Sequence, residues 1–131
     1  MRLSQNSELI STLNTEVDTA MNDHKVKVKR GEYRLKRDES AGLSYVRGIE
    51  HLLNMIGHSV LTGAILARLL LKERDFWKDV RDERRVRYAQ GNALLKDVIE
   101  SDAFYDGVQH AMSIVLEYTV LTAEEEGVVS V

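Results

Sequence analysis

The sequence predicts an all-α protein, a bundle of about four to five helices. Three observations lead there. Apolar residues recur at i, i+3 and i+4 through most of the chain. Proline is absent, so no helix interior loses a backbone donor or meets a pyrrolidine ring. Two segments, Tyr45–Ile56 and Tyr88–Ile99, share the pattern Tyr-x-x-Gly-x-x-x-Leu-x-x-x-Ile, whose spacing places its residues on one helical face. The 131 residues fit one domain, read as 1–121, followed by an acidic and apolar tail, 122–131, that frays or docks as an extended strand.

Taken in order, Leu9, Ile10, Leu13, Val17, Ala20 and Met21 form an apolar stripe. They predict a first helix over about residues 5–23, capped by Ser4 or Ser7. Residues 25–37 alternate Val26 and Val28 with lysines, which is a strand period. An isolated hairpin is marginal in water, so a loop or a lead-in to the next helix is favoured. Tyr45, Val46, Ile49, Leu52, Leu53 and Ile56 define a second helix, with Gly57 expected in the left-handed position beyond its end. Ser59 is the expected cap of a third, carrying Val60 to Leu71. The mixed-charge stretch Lys72–Arg87 reads as solvated helix, either continuous with the third or joined to it by a bend. A fourth helix continues through Gly91 to Ile99, and Ser101 or Asp102 caps a fifth bearing Phe104, Val108, Ala111, Met112, Val115 and Leu116.

A shift of 43 positions lays the two Tyr-x-x-Gly segments on each other, with four identities in 25 pairs. Duplication and the chance alignment of two amphipathic helices both account for that. A glycine inside a helix costs about 1 kcal/mol relative to alanine, and close approach of a neighbour is the usual reason for one. Tyr45, Gly48, Leu52, Ile56, Tyr88, Gly91, Leu95 and Ile99 are therefore the expected helix-contact residues.

Composition excludes several chemistries. With no cysteine there is neither a disulfide nor a thiolate ligand. His24, His51, His58 and His110 lack the Glu-x-x-His pairs of di-metal bundles, and Asp106–His110 alone does not make a site. No phosphate loop, dinucleotide fingerprint or nucleophile elbow occurs. No catalytic residue, metal or cofactor is expected, and the protein reads as a non-enzyme. Val60–Leu71 is too short to span a bilayer and contains Arg68. The first residues hold no apolar run of signal-peptide length, so a cytoplasmic protein without a membrane partner is expected.

The net charge of −3 predicts no partner, so any electrostatic role is local. Lys25, Lys27, Lys29, Arg30, Arg34, Lys36 and Arg37, with Tyr33 among them, form a segment suited to phosphate contact and base stacking. A solvated loop balanced by Asp23, Glu32, Asp38 and Glu39 is the plainer reading.

The run Gly31-Glu32-Tyr33, a charged stretch, then Tyr45-Val46-Arg47-Gly48-Ile49-Glu50 resembles small helical proteins of tailed bacteriophages, and Tyr88–Ile99 is similar to the same type. Residues 31–56 and 75–99 carry the likeness. It implies a virion or morphogenesis component, made in the host cytoplasm, acting through contacts with other subunits as a homo-oligomer or part of a larger assembly. The alternative is a nucleic-acid-binding accessory or regulatory protein using residues 25–37, with DNA contact.

Overall fold

A computed structural model describes the backbone of residues 3–125 and the side chains of residues 7–118. Four helices account for nearly all of it: α1 (Leu3–Arg30), α2 (Lys36–Gly57), α3 (Gly63–Ala89) and α4 (Leu95–Glu125). No strand occurs among the described residues. The tail expected at 122–131 begins inside α4, which runs to Glu125; residues 126–131 lie outside the described residues.

The helix ends differ from those expected, for local reasons. α1 does not stop near residue 23 but continues through Lys25–Arg30, so this part of the basic segment is neither loop nor hairpin. Val26 and Val28 are exposed and have no sheet to join, whereas each added helical residue gains a backbone hydrogen bond. Lys27, Lys29 and Arg30 also face the negative end of the helix dipole. Gly31, at φ +66°, then reverses the chain: its N–H donates to Val28 and that of Glu32 to Lys27. This is a Schellman closure, which favours glycine at its left-handed residue.

The same closure ends α3. Gly91 has φ +78°, with its N–H donating to Tyr88 and that of Asn92 to Arg87. The helix expected to run from Tyr88 through Ile99 is therefore broken at 90–94. Lys72–Arg87 continues the Leu66–Leu71 segment as a single rod. Ser101 caps nothing: it is buried inside α4, its Oγ donating to the Asp97 carbonyl at 2.7 Å. Ser59 accepts from Leu61 N–H at 3.0 Å, but the N-cap of α3 is Thr62. Ser4 and Ser7 lie within α1. Gly57 is the last residue of α2 and is not left-handed.

Short connections alternate the helix directions, and cross-helix pairs confirm the alternation. Glu16 meets His110 and Glu8 meets Tyr118 between α1 and α4. His51 meets Glu73 between α2 and α3, and Arg85 meets Asp102 between α3 and α4. Hence α2 and α4 run in the same direction, side by side at the centre. Leu9, Leu13, Ile49, Leu52, Ile56, Leu66, Leu70, Val108, Met112 and Val115 form the core between all four helices.

The central pair meets through two glycines. A Cβ on Gly48 would strike the Phe104 carbonyl and lie 3.0 Å from Val108 N; one on Gly107 would strike the Tyr45 carbonyl. A Cβ on either glycine would lie 3.1 Å from the Cα of the other. Gly48 thus sits at a helix crossing, with Gly107 opposite. Gly91 does not: a Cβ there would meet nothing within 4 Å. Tyr88 and Leu95 are exposed, flanking a turn rather than lining a contact.

The reciprocity of the glycine contacts points to an internal repeat at about 59 residues in the inner helices and about 57 in the outer ones, rather than at 43. Tyr45-Val46-Arg47-Gly48-Ile49-Glu50-His51 corresponds to Phe104-Tyr105-Asp106-Gly107-Val108-Gln109-His110. Each half repeats the other's geometry. His51 pairs with Glu73 at 2.7 Å and His110 with Glu16 at 3.0 Å. The His51 ring packs on Phe104 and the His110 ring on Tyr45. On the outer helices, Leu9, Leu13 and Glu16 correspond to Leu66, Leu70 and Glu73, and all four leucines are buried. The α1–α2 and α3–α4 hairpins are thus related by a pseudo-twofold axis along the bundle, passing between Gly48 and Gly107.

Candidate interaction surfaces

With one half as an internal standard for the other, departures from the repeat show what the fold does not require. His51 and His110 are not among them. His51 and His110 donate to carboxylates of the outer helices, fastening each outer helix to the opposite hairpin. His24 is buried, with Nδ1 3.0 Å from the Tyr33 hydroxyl, and His58 is exposed after α2. Asp106 does not join His110, and no cluster of three potential metal ligands occurs among the described residues.

The grooves within the two hairpins differ in depth. Between α1 and α2 lies an open groove of about 500 Å³ lined by Glu16, Ala20, Asp23, His24, Tyr33 and Tyr45, among others. Its counterpart between α3 and α4 is about 180 Å³, because Trp77 stands where Ala20 leaves space. Trp77 packs on Phe104 and donates Nε1–H to Glu73 at 3.0 Å. Gly42 makes room for the His24–Tyr33 pair, since a Cβ there would strike the Tyr33 hydroxyl.

Burial, reinforced by Glu16 and Asp106, raises the Tyr45 phenol above its ordinary pKa of 10.0. Tyr33 is raised by burial, Glu32 and Glu39. The fold therefore favours both neutral phenols. Their stabilising contribution is complete below pH 10 and is lost as pH climbs through the raised values. Ultraviolet titration of wild type against Tyr45→Phe should show one phenolate appearing later than in free tyrosine, and alkaline unfolding should be shallower in the variant. Identical titration curves and unfolding midpoints would contradict this.

All seven cations of the basic segment are exposed, and none makes an ion pair among the described residues. Lys25, Lys27, Lys29 and Arg30 lie on the last turns of α1, Arg34 in the connection, and Lys36 and Arg37 in the first turn of α2. Tyr33, expected to stack on a base, is half-buried with its hydroxyl engaged by His24. The topology brings a second segment with basic residues, 81–100, to the same end. The α3–α4 connection lies at the same end as the α1–α2 connection. Residues 25–40 and 81–100 together hold twelve Lys/Arg and seven Asp/Glu, so one end of an acidic protein is locally positive. In the second segment the cations are mostly paired: Arg85 forks onto Asp102, Arg87 meets Glu83 and Lys96 meets Glu100.

The largest departure from the repeat is on the outer face of α3. Ile65, Leu69 and Phe76 lie along one stripe and are 62%, 39% and 55% exposed. Val60 and Leu61, both exposed, extend the apolar surface at the start of the helix. The corresponding residues of α1 are Glu8, Thr12 and Thr19, all polar and exposed. The outer face of α1 is thus polar where that of α3 is apolar.

Compared with family models, curated proteins and solved structures, the chain matches none.

Proposed function

We propose that the protein is a non-enzymatic assembly component, docking onto another protein subunit, including further copies of itself, through the outer face of α3. The observation that carries this is the contrast between twins: Ile65, Leu69 and Phe76 stand where α1 has Glu8, Thr12 and Thr19. Leu69 is partly covered and Phe76 packs edge-on against Trp77, yet all three side chains present apolar surface to water, and exposed apolar patches mark contact sites. Along its 27 residues α3 buries Leu66, Ala67 and Leu70, with Leu71 and Trp77 half-buried against the core, which leaves its outer face for a partner. A bacteriophage virion or morphogenesis role, as the sequence resemblance implies, is the setting we propose for this contact.

The test borrows the twin's own residues. Ile65→Glu, Leu69→Thr and Phe76→Thr together should leave the helical spectrum unchanged and lower the melting temperature only modestly, through the lost Phe76–Trp77 contact. The wild-type chain should scatter light as a species larger than its 14.9 kDa monomer, and the triple variant as the monomer. A wild-type monomer that recovers no partner from particles or lysate would defeat the proposal. So would a variant that associates as the wild type does.

A further inference from the structure

At the positive end of the bundle, both inner helices begin on a leucine. Leu35 is the N-cap of α2, with its carbonyl accepting from Asp38 and Glu39 and no side-chain cap. Leu94 occupies the equivalent place before α4, its carbonyl accepting from Asp97 and Val98. These leucines are 48% and 69% exposed. Leucine is a poor residue for that position, where serine, threonine, asparagine or aspartate would satisfy a free first-turn N–H. Only Leu94 has partial compensation, its N–H donating to Asp97 Oδ2 at 3.2 Å.

The first turn of α2 mixes Lys36 and Arg37, which the positive end of the helix dipole disfavours, with Asp38 and Glu39, which it favours, and Asp97 stands in the first turn of α4. Local rules broken together at one place point to a function there. The pseudo-twofold axis runs along the bundle, so the two leucine tips lie symmetrically about it at the same end. Val28, Val86 and Tyr88 are exposed nearby, on the turns leading into the two connections.

We propose that this end docks the protein peripherally on an anionic lipid surface. Leu35 and Leu94 enter the boundary between headgroups and acyl chains, while Lys25, Lys27, Lys29, Arg30, Arg34, Lys36 and Arg37 meet the headgroup phosphates. A bilayer interface accepts isolated apolar tips and surrounding cations without a shaped pocket. A nucleic-acid backbone would engage the same cations but leave both leucines against phosphate. No helix of the described residues is long and apolar enough to cross a membrane, so the contact is superficial. It departs from the sequence expectation of no membrane partner and is independent of the α3 face.

The experiment is co-sedimentation of the full chain with phosphatidylcholine vesicles, with and without about one-third phosphatidylserine, at low salt. Binding is expected only to the anionic vesicles and should fall as salt rises. Leu35→Ser with Leu94→Ser leaves the charge unchanged and supplies two helix caps. This variant should melt at a higher temperature than wild type while losing at least tenfold in vesicle affinity. Lys27→Gln, Lys29→Gln, Arg34→Gln and Lys36→Gln together should also abolish binding. Absence of vesicle binding, or full binding by the leucine variant, overturns the proposal. Displacement from vesicles by a duplex oligonucleotide that binds the leucine variant equally well also overturns it, in favour of nucleic acid.

Discussion

Gly48→Ala should destabilise the protein by about 3 kcal/mol or more, and Gly48→Leu should prevent folding. The added Cβ would be driven into the Phe104 carbonyl, and backbone, unlike a flexible side-chain end, cannot rotate away. Relief requires α2 and α4 to separate, which loosens contacts along the whole central pair. Gly107→Ala should do the same through the Tyr45 carbonyl. Combining the two should cost less than their sum, since one separation relieves both clashes. Gly91→Leu acts by another mechanism: its space is open, but φ +78° costs a side-chain-bearing residue about 1–2 kcal/mol. Gly91→Asn should recover part of that loss, and Gly48→Asn none. Urea denaturation of the Gly48, Gly107 and Gly91 variants that fold separates the mechanisms. Equal effects at Gly48 and Gly91, or a wild-type midpoint for Gly48→Ala, would refute the crossing.

Leu70→Ala should cost about 2–5 kcal/mol, the range for truncating a fully buried leucine. Its effect should also be uneven across the molecule. The buried residues of α3, Leu66, Ala67 and Leu70, all fall within its first third, while beyond Leu71 the helix rests on Trp77, on Arg81 stacked over the Tyr105 ring and on partly exposed ion pairs. Hydrogen exchange should therefore show amides of residues 71–89 losing protection in the variant before those of α2. Truncating the twin, Leu13→Ala, should not selectively expose α3. Uniform loss of protection in Leu70→Ala would mean that α3 is held elsewhere than its buried residues indicate.

Parts of both surfaces were legible beforehand. The basic residues 25–37 could be read directly, because charge clustering within a segment is local. Their unpaired state and the companion segment at 81–100 could not, because chain reversal at Gly31 and Gly91 brings those connections to one end. The exposure of Ile65 and Leu69 could not be read, since apolar periodicity marks a face without saying whether anything covers it. The true repeat did leave a signal, aromatic-x-x-Gly-β-branched-Glu/Gln-His at 45–51 and 104–110. It was hidden by the four identities at a shift of 43, which match letters without matching roles.

The all-helical class, the course of α2 and the need for close packing at Gly48 were determined by sequence alone. Helical periodicity, absent proline and the cost of an interior glycine are properties of single segments. Only the tertiary structure decided that Gly48 meets Gly107, that Gly91 closes a helix, and that residues 25–30 stay helical. Each depends on which partner or chain reversal competes for the same backbone. It also decided which apolar residues face water, because burial belongs to the assembled bundle and not to any one helix.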